Sequence, residues 1–206
     1  MRGFKNKILN FILIGPPGSG KGTQAKLLLK KFPNSFYVST GQLFRKLSRE
    51  KTDVGERVKT VVESGGLPFD DLATTLWMNE IAFNLKKNQR IIADGFPRRL
   101  QEAKDFDAFL KFLERKENTY FFLIDISEKE AFKRLSKGRV FKGGKRVRRA
   151  DDDPEDIKRR FRIYRKRTIP AMNYLKKQGR LIKINGEQSI ENVFKDILKA
   201  IHPHTK

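Results

Sequence analysis

Cysteine is absent from the 206 residues of the sequence. Disulfide bonds and thiolate metal sites are therefore excluded, and the absence fits a reducing compartment. Long hydrophobic runs are absent too, since no apolar stretch approaches the roughly 20 residues that a membrane-spanning helix needs. The mostly apolar run at 8–14 is short, and Gly-Pro-Pro follows it where a signal peptide would carry a small-residue cleavage site. We therefore expect a cytoplasmic protein with no membrane partner.

Acidic residues are scarce relative to basic ones. The chain has 46 Lys and Arg against 24 Asp and Glu, which gives a formal net charge of +22. This excess indicates either attraction to polyanions, such as nucleotides or nucleic acid, or many solvated Lys and Arg side chains on helix surfaces. Hydrophobic residues at 38% and aromatic residues at 11% are typical of a globular protein. The length suits one domain with small insertions.

Short apolar runs alternate with longer amphipathic segments along the chain. The runs predict strands at 8–14, 36–38, 90–93, 120–124 and 181–184, and several lack polar alternation, as parallel strands covered on both faces do. The amphipathic segments predict helices at 21–31, 41–50, 55–63, 70–86, 99–113, 128–137, 154–177 and 190–200. The alternation predicts an α/β fold with a doubly wound parallel sheet of about five strands, which binds ligands at the carboxyl ends of its strands.

Two stretches interrupt this alternation. Between about 40 and 70 the sequence predicts helices only, which indicates a helical insertion. Residues 139–152 are basic and non-periodic, and Gly143-Gly144 lies among them between apolar and basic residues. This second pattern predicts a small hairpin or flap.

A Gly-rich segment with a lysine joins the first predicted strand to the first predicted helix. It reads Gly-Pro-Pro-Gly-Ser-Gly-Lys-Gly-Thr over 15–23, in the strand–helix context of a phosphate-binding loop. Glycines let successive backbone N–H groups point at an anion, and the helix N-terminus adds partial positive charge. Lys21 can reach the β- and γ-phosphates, although the strict pattern has Ser or Thr where this chain has Gly22. We predict that ATP binds here, through Gly18, Ser19, Gly20, Lys21, Gly22 and Thr23.

The Lys-Gly-Thr-Gln ending of this loop, at 21–24, resembles the adenylate kinases, which are nucleoside monophosphate kinases with a P-loop NTPase-type fold. Further motifs match in the same order along nearly the whole chain: Ser-Thr-Gly at 39–41 with Arg45, Gly-Gly-Leu-Pro-Phe-Asp at 65–70, Asp-Gly-Phe-Pro-Arg at 94–98, Arg-Ala-Asp-Asp at 149–152 with Arg160, and Asn-Gly at 185–186. The resemblance implies a core of 1–38, 69–138 and 153–206, a monophosphate-binding insertion at 39–68 and a short lid at 139–152.

The resemblance implies Mg-dependent, reversible phosphoryl transfer from ATP to AMP by electrostatic clamping and lid closure. Such a transfer depends on charge neutralisation, because its transition state spreads negative charge over the equatorial phosphate oxygens. The implied catalytic residues are Lys21, Arg98, Arg139, Arg149 and Arg160. Besides the loop, the implied ATP contacts are Arg134, Arg139 and Gln188. The implied monophosphate contacts are Thr40, Arg45, Gly66, Leu67, Pro68, Gly95, Phe96, Arg98, Gln101, Glu102, Arg149 and Arg160.

The resemblance also concerns metals and partners. Asp94, at the end of a predicted strand, would hold Mg²⁺ through its waters. The short segment 139–152 has no Cys or His, so it resembles the lid form without zinc. The implied partners are ATP and AMP, and the implied state is a monomer.

The sequence departs from the family pattern where the acceptor base is read. The family usually has Gln eight residues after the Asp of the 94–98 motif, whereas this chain has Glu102, with Gln101 before it. An ionised carboxylate only accepts hydrogen bonds, whereas an amide both donates and accepts. Either Gln101 takes over by a small shift or base discrimination is altered, which makes a CMP or UMP kinase the alternative. The Pro68 carbonyl can still accept from an adenine amino group.

A distant alternative is an RNA- or ribosome-binding protein that is regulated by a bound nucleotide. Basic and aromatic residues are interleaved over 159–167, and such a segment can bind phosphates and stack bases. On a helix, however, Phe161, Tyr164 and Thr168 share one side at i, i+3 and i+7, which predicts a buried stripe. We therefore do not expect nucleic acid as the primary partner.

Overall fold

The computed structural model describes residues 8–140, 146–147 and 152–201. Its strands, in chain order, are β1 (Asn10–Ile14), β2 (Ser35–Ser39), β3 (Arg90–Asp94), β4 (Thr119–Asp125), β5 (Arg139–Val140), β6 (Arg146–Val147) and β7 (Leu181–Asn185). Its α-helices are α1 (Lys21–Lys31), α2 (Thr40–Leu47), α3 (Asp53–Glu63), α4 (Asp70–Asn84), α5 (Leu100–Phe112), α6 (Glu128–Ser136), α7 (Pro154–Ile163), α8 (Ile169–Lys177) and α9 (Ile190–Ile201).

The central sheet has five parallel strands in the order β2-β3-β1-β4-β7. Parallel pairing puts the carboxyl ends of all these strands at one edge of the sheet. Asp94, the last residue of β3, is in register with Ser39 of β2 and with Leu13 of β1. The segments that follow these three strands therefore meet at that edge. The α/β fold with about five parallel strands that the sequence predicts is confirmed.

Both faces of the sheet are mostly buried along its inner strands β1, β3 and β4, which explains why these strands lack polar alternation. Along β1, Ile12 packs with α4, α5 and α8 on one face, whereas Phe11 and Leu13 pack with α1 and α9 on the other. Full burial of such side chains stabilises the fold by roughly 2 kcal/mol each. The two hydrophobic cores hold the sheet rigidly, so the edge that carries the polar segments is set in place.

The helical segment and the hairpin lie where the sequence predicts interruptions. Helices α2 and α3 follow β2, and α3 begins after Thr52, whose side chain accepts a hydrogen bond from the Gly55 N–H at 3.1 Å. Strands β5 and β6 pair antiparallel, as the Gly-Gly pattern predicts for a hairpin. The division into core, insertion and lid stays a prediction. None of the helices in the described part of the chain is long and apolar enough to cross a bilayer.

The prediction of one uninterrupted helix over 154–177 is wrong in its middle. A π-helical turn at Tyr164–Thr168 separates α7 from α8. Pro170 lies in the first turn of α8 and has no N–H to donate to the preceding turn, so a regular α-helix cannot continue through this point. The wider turn buries Thr168 and aims its hydroxyl at the backbone carbonyl of Arg98, 3.1 Å away.

Candidate active site

The phosphate-binding loop lies between β1 and α1. Gly18 and Gly20 have φ values of 77° and 89°, in the left-handed region that favours glycine. A Cβ at Gly18 would lie 3.1 Å from the Ala131 carbonyl oxygen and from Leu135 Cγ, so the loop packs tightly against α6. Gly20 is the N-cap of α1 and provides no side-chain cap, which leaves the N–H groups of the first helical turn suited to an anion.

Lys21 lies over this loop. Its ammonium group donates hydrogen bonds to the Gly15 carbonyl at 2.9 Å, to the Pro16 carbonyl at 2.8 Å and to Ser19 Oγ at 3.1 Å. The positive charge is therefore held beside the backbone amides that precede α1. This arrangement concentrates positive potential where the sequence predicts the triphosphate of ATP.

Asp94 is held from two sides at the end of β3. Tyr37 donates to its Oδ2 at 2.5 Å and Ser39 donates to its Oδ1 at 3.0 Å. Burial and the neighbouring Asp94 carboxylate raise the pKa of Tyr37, so the phenol stays a donor at neutral pH. Sequence reasoning missed Tyr37. The signal was its position two residues before Ser39 in β2, because alternate strand residues share a face.

The surroundings of Asp94 fit a magnesium ion that is bound largely by phosphate and water. A Cβ at Gly22 would lie 3.6 Å from Asp94 Oδ2, so this carboxylate faces the phosphate loop. Among the described residues, no group of three or more His, Cys, Asp and Glu side chains could hold a metal ion. One oriented carboxylate beside a phosphate site is what Mg²⁺ commonly uses, in contrast to an all-protein cage.

Arg98 and Thr40 converge on the backbone of Gly95, directly after Asp94. Arg98 Nε donates to the Gly95 carbonyl at 2.6 Å and Thr40 Oγ1 donates to it at 2.8 Å. Gly95 has a φ of 85°, and a Cβ there would lie 2.9 Å from Thr40 Oγ1. A side chain at position 95 would therefore push Thr40 and Arg98 away from each other. Arg45 folds back against Gly41 at the start of α2, since a Cβ there would lie 3.2 Å from Arg45 Nη1.

A small cavity opens beside Arg98. It is lined by Thr40, Phe44, Leu67, Pro68, Ala73, Gly95, Arg98, Arg99 and Glu102. Six of the twelve predicted monophosphate contacts are thus brought together, from three segments of the chain. Of the others, Gly66 packs against α3, where a Cβ would lie 3.0 Å from Val61, and Phe96 is buried with its ring stacked on Trp77.

Glu102 and Gln101 point in different directions. Glu102 is buried and accepts hydrogen bonds from Trp77 Nε1 at 3.2 Å and from the Arg98 N–H at 2.6 Å. Burial raises the pKa of its carboxyl. Gln101 is exposed and donates to Asp105 Oδ1 at 2.8 Å. Because adjacent residues on a helix are about 100° apart, Gln101 points away from the cavity that Glu102 lines, which does not favour the alternative that Gln101 takes over from Glu102. That alternative stays a prediction.

Two of the predicted ATP contacts, Arg134 and Gln188, brace the loop that follows β7. Arg134 donates to Glu130 Oε1 at 2.8 Å and to the Gly186 carbonyl at 2.9 Å, and its hydrogen bond lowers the pKa of Glu130. Gln188 donates to the Asn185 carbonyl and to Asp196 Oδ2, both at 2.9 Å. Both side chains therefore lie at the sheet edge that also carries the phosphate loop.

The arginines predicted to close over the transferring phosphoryl group are only partly described. Arg149 lies outside the described residues, and for Arg139 the structure describes the backbone, as part of β5, but not the side chain. Arg160 is mostly buried on α7, and its Nη1 lies 3.4 Å from Oδ1 of the buried Asp152. The roles of these arginines in closing over the phosphates stay predictions.

Comparisons with known proteins agree with this geometry. The adenylate kinase family model matches residues 13–180. An adenylate kinase of Thermosipho africanus is 31% identical over 215 residues, which cover 94% of this chain and 99% of that protein. One of Azobacteroides pseudotrichonymphae is 34% identical over 197 residues, covering 94% and 97%, and one of Kosmotoga olearia is 34% identical over 218 residues, covering 94% and 99%. The chain belongs to the adenylate kinase family.

Proposed function

We propose that this protein catalyses the reversible, Mg-dependent transfer of the γ-phosphoryl group of ATP to AMP, which gives two ADP. The observation that carries the proposal is the meeting of two cationic sites at one sheet edge. The loop with Lys21 follows β1, Arg98 follows β3, and Asp94 lies in register with Leu13 of β1. The membership of the chain in the adenylate kinase family supports the same reaction.

In the reaction, an oxygen of the acceptor's phosphate forms a bond to the γ-phosphorus as the bond from that phosphorus to the β–γ bridging oxygen breaks. The bridging oxygen stays with the donor's ADP, and the acceptor becomes the second ADP. Lys21 and the loop amides balance the negative charge on the donor side. Arg98 and Arg45 grip the acceptor's phosphate, because the guanidinium fork matches two phosphate oxygens.

Asp94 would hold the metal through water, and a magnesium ion would neutralise charge on the β- and γ-phosphates. Tyr37 and Ser39 keep the Asp94 carboxylate turned toward the loop. We further propose that the insertion 39–68 and the lid 139–152 close over the nucleotides, with Arg139, Arg149 and Arg160 reaching the phosphates. Closure excludes water, so that ATP is not hydrolysed.

A second candidate is the same transfer with CMP or UMP as acceptor. The absence of the family's usual Gln favours it, because both oxygens of Glu102 accept hydrogen bonds from the protein and position 102 then gives adenine no advantage. The Pro68 carbonyl, on the wall of the cavity, favours AMP through the adenine amino group. The RNA-binding alternative is not favoured, because the family match spans the basic segment and the aromatic Phe161 within it is buried.

The test is a coupled assay of ADP formation from ATP with AMP, CMP, UMP and GMP as acceptors. We expect the highest kcat/KM with AMP. A higher kcat/KM with CMP or UMP would show that this nucleotide, and not AMP, is the preferred acceptor. If none of the four acceptors increased ADP formation, the proposal would be contradicted.

We also propose that the protein acts as a cytoplasmic monomer. A sedimentation mass of twice the chain mass of 24.0 kDa would contradict the monomer.

A further inference from the structure

Each oxygen of the Glu102 carboxylate accepts a hydrogen bond from an N–H group of the protein. Its Oε1 accepts from the indole Nε1 of Trp77 at 3.2 Å, and its Oε2 accepts from the backbone N–H of Arg98 at 2.6 Å. Trp77 and Glu102 are at most 1% exposed. In this buried site the indole N–H of Trp77 cannot turn to water if it loses its acceptor, so its hydrogen bond to Glu102 is costly to remove.

The network holds Arg98 from both sides of its backbone. Glu102 accepts from its N–H, and Thr168 in the π-helical turn donates to its carbonyl at 3.1 Å. The Arg98 Nε then donates to the Gly95 carbonyl at 2.6 Å. With its backbone fixed at two points, the arginine presents its guanidinium to the cavity in one orientation.

The indole of Trp77 has no freedom to seek another acceptor. Its ring stacks on Phe96 with centroids 5.3 Å apart and an interplanar angle of 1°, and Phe106 meets it edge-on at 5.1 Å. This packing fixes the direction of the Nε1–H bond. A residue that faces this bond must present a hydrogen-bond acceptor.

A glutamine at 102 would not fit the same surroundings. Its amide has one oxygen and one NH₂ group, so it can accept from Arg98 or from Trp77 but turns hydrogens toward the other. A carboxylate accepts from both. A carboxylate at position 102 therefore fits the two donors that Trp77 and Arg98 place opposite it.

We infer that Trp77 and Glu102 form a matched donor–acceptor pair that positions Arg98 for the acceptor's phosphate. Glu102 is then a positioning residue and does not read the acceptor base. The inference rests on the proposed function, because Arg98 is taken as the phosphate-binding group. It implies that a change at Glu102 affects every acceptor alike, since all nucleoside monophosphates share the phosphate.

The first experiment measures kcat and KM of Glu102→Gln with AMP, CMP, UMP and GMP. We expect KM for every measurable acceptor to rise by a common factor of about ten, with KM for ATP within twofold of wild type. Glu117→Gln is the matched control, because it makes the same chemical change at an exposed position outside the cavity. A factor that differs among the bases by tenfold or more would assign Glu102 to base reading and overturn the inference.

The second experiment removes the indole donor without changing the ring. The chain has one tryptophan, so growth of a tryptophan auxotroph on 3-benzothienylalanine replaces the N–H of Trp77 alone by sulfur. In this background we expect Glu102→Gln to raise the acceptor KM by no more than about threefold, because the amide no longer faces a donor. The same tenfold rise in both backgrounds would overturn the matched pair.

Thermal unfolding keeps the test decisive if Glu102→Gln folds poorly. The combined replacement is then expected to melt at a higher temperature than Glu102→Gln alone, and equal or lower melting would overturn the inference. Failure of the proposed function is distinguishable, because the wild-type protein would then show no acceptor-dependent turnover. Failure of this inference leaves wild-type turnover intact and only breaks the coupling between positions 77 and 102.

Discussion

The donor-phosphate site and the acceptor site are built in contrasting ways. The donor site is one contiguous loop, and even its lysine is held by oxygens of residues 15, 16 and 19. The acceptor site combines α2, α4, α5, the turn after β3 and the π-helical turn. A loop made from backbone needs the right local conformation, whereas a site made from distant side chains needs every packing contact that brings them together.

This difference determines how each site fails. Removing the loop's charged side chain deletes the group that acts on the reacting phosphates, so the chemical step suffers directly. Removing a support of Arg98 leaves the charge in place but loosens its position, which weakens acceptor binding first. Changes in the two sites should therefore separate into effects on kcat and effects on the acceptor KM.

The largest effect is expected from Lys21→Met, which removes the ammonium from the donor site. We expect kcat to fall about 10³-fold, because charge stabilisation in the transition state is lost. Steady-state kinetics with saturating ATP and AMP measure this loss. Lys26→Met, exposed on the same helix, is the control and should keep wild-type turnover. A kcat for Lys21→Met within tenfold of wild type would contradict the role of the loop.

The next effect is expected from Arg98→Lys, which keeps the charge but loses the planar fork. The acceptor KM should rise about 50-fold, equivalent to one or two charge-assisted hydrogen bonds, while KM for ATP stays near wild type. Measurements with each substrate varied in turn test this separation. Arg57→Lys, at an exposed position on α3, should change neither constant. If both constants rise together for Arg98→Lys, the two sites are not separate.

Acid pH should affect acceptor use and stability in opposite directions through Glu102. Burial raises the pKa of this carboxyl, and Arg98 and Arg99 oppose the rise. The pKa of Glu102 in the folded protein lies above its unfolded value of about 4.3, so protonation of Glu102 stabilises the fold. This stabilisation is fully present at pH values below about 4.3 and is lost as the pH rises through the folded pKa. A protonated carboxyl turns one oxygen into a donor, so acceptor kcat/KM should fall about tenfold over the same range.

Comparison of wild type with Glu102→Gln isolates this titration from those of the other carboxylates. As pH is lowered, the wild-type free energy of unfolding should rise relative to that of the variant, while its acceptor kcat/KM falls relative to the variant. Urea unfolding and initial rates at matched pH values measure both. Parallel curves for the two proteins would show that Glu102 does not titrate in this range.

The smallest effect is expected from Thr168→Val, which removes the hydrogen bond to the Arg98 carbonyl and keeps the shape of the side chain. One neutral hydrogen bond is worth about 1 kcal/mol, so acceptor kcat/KM should fall about fivefold. Thr60→Val removes a comparable hydroxyl that bonds to the Glu56 carbonyl on exposed α3, and should leave kinetics unchanged. If Thr168→Val and Thr60→Val had the same acceptor kcat/KM, the π-helical turn would not contribute to the positioning of Arg98.

Much of the fold could be read from periodicity and local motifs. The five strands and most helix bounds follow from apolar runs and amphipathic segments, and the loop before Lys21 is recognisable because its glycines and its lysine are contiguous. The π-helical turn was missed, since the helical pattern over 154–177 is continuous apart from Pro170. The burial of Glu102 was missed as well, because a carboxylate is rarely buried without partners.

The sequence alone determined the parallel sheet, the phosphate loop and the family of this protein, because alternation and contiguous motifs encode local backbone conformation directly. Only the tertiary structure decided that Tyr37 holds Asp94, that Gln101 faces solvent and that Trp77 pairs with Glu102. The first and third of these features join residues that are far apart in the chain, and the second depends on which side of α5 is buried. Their partners are selected by packing of the two cores, which no single stretch of sequence encodes.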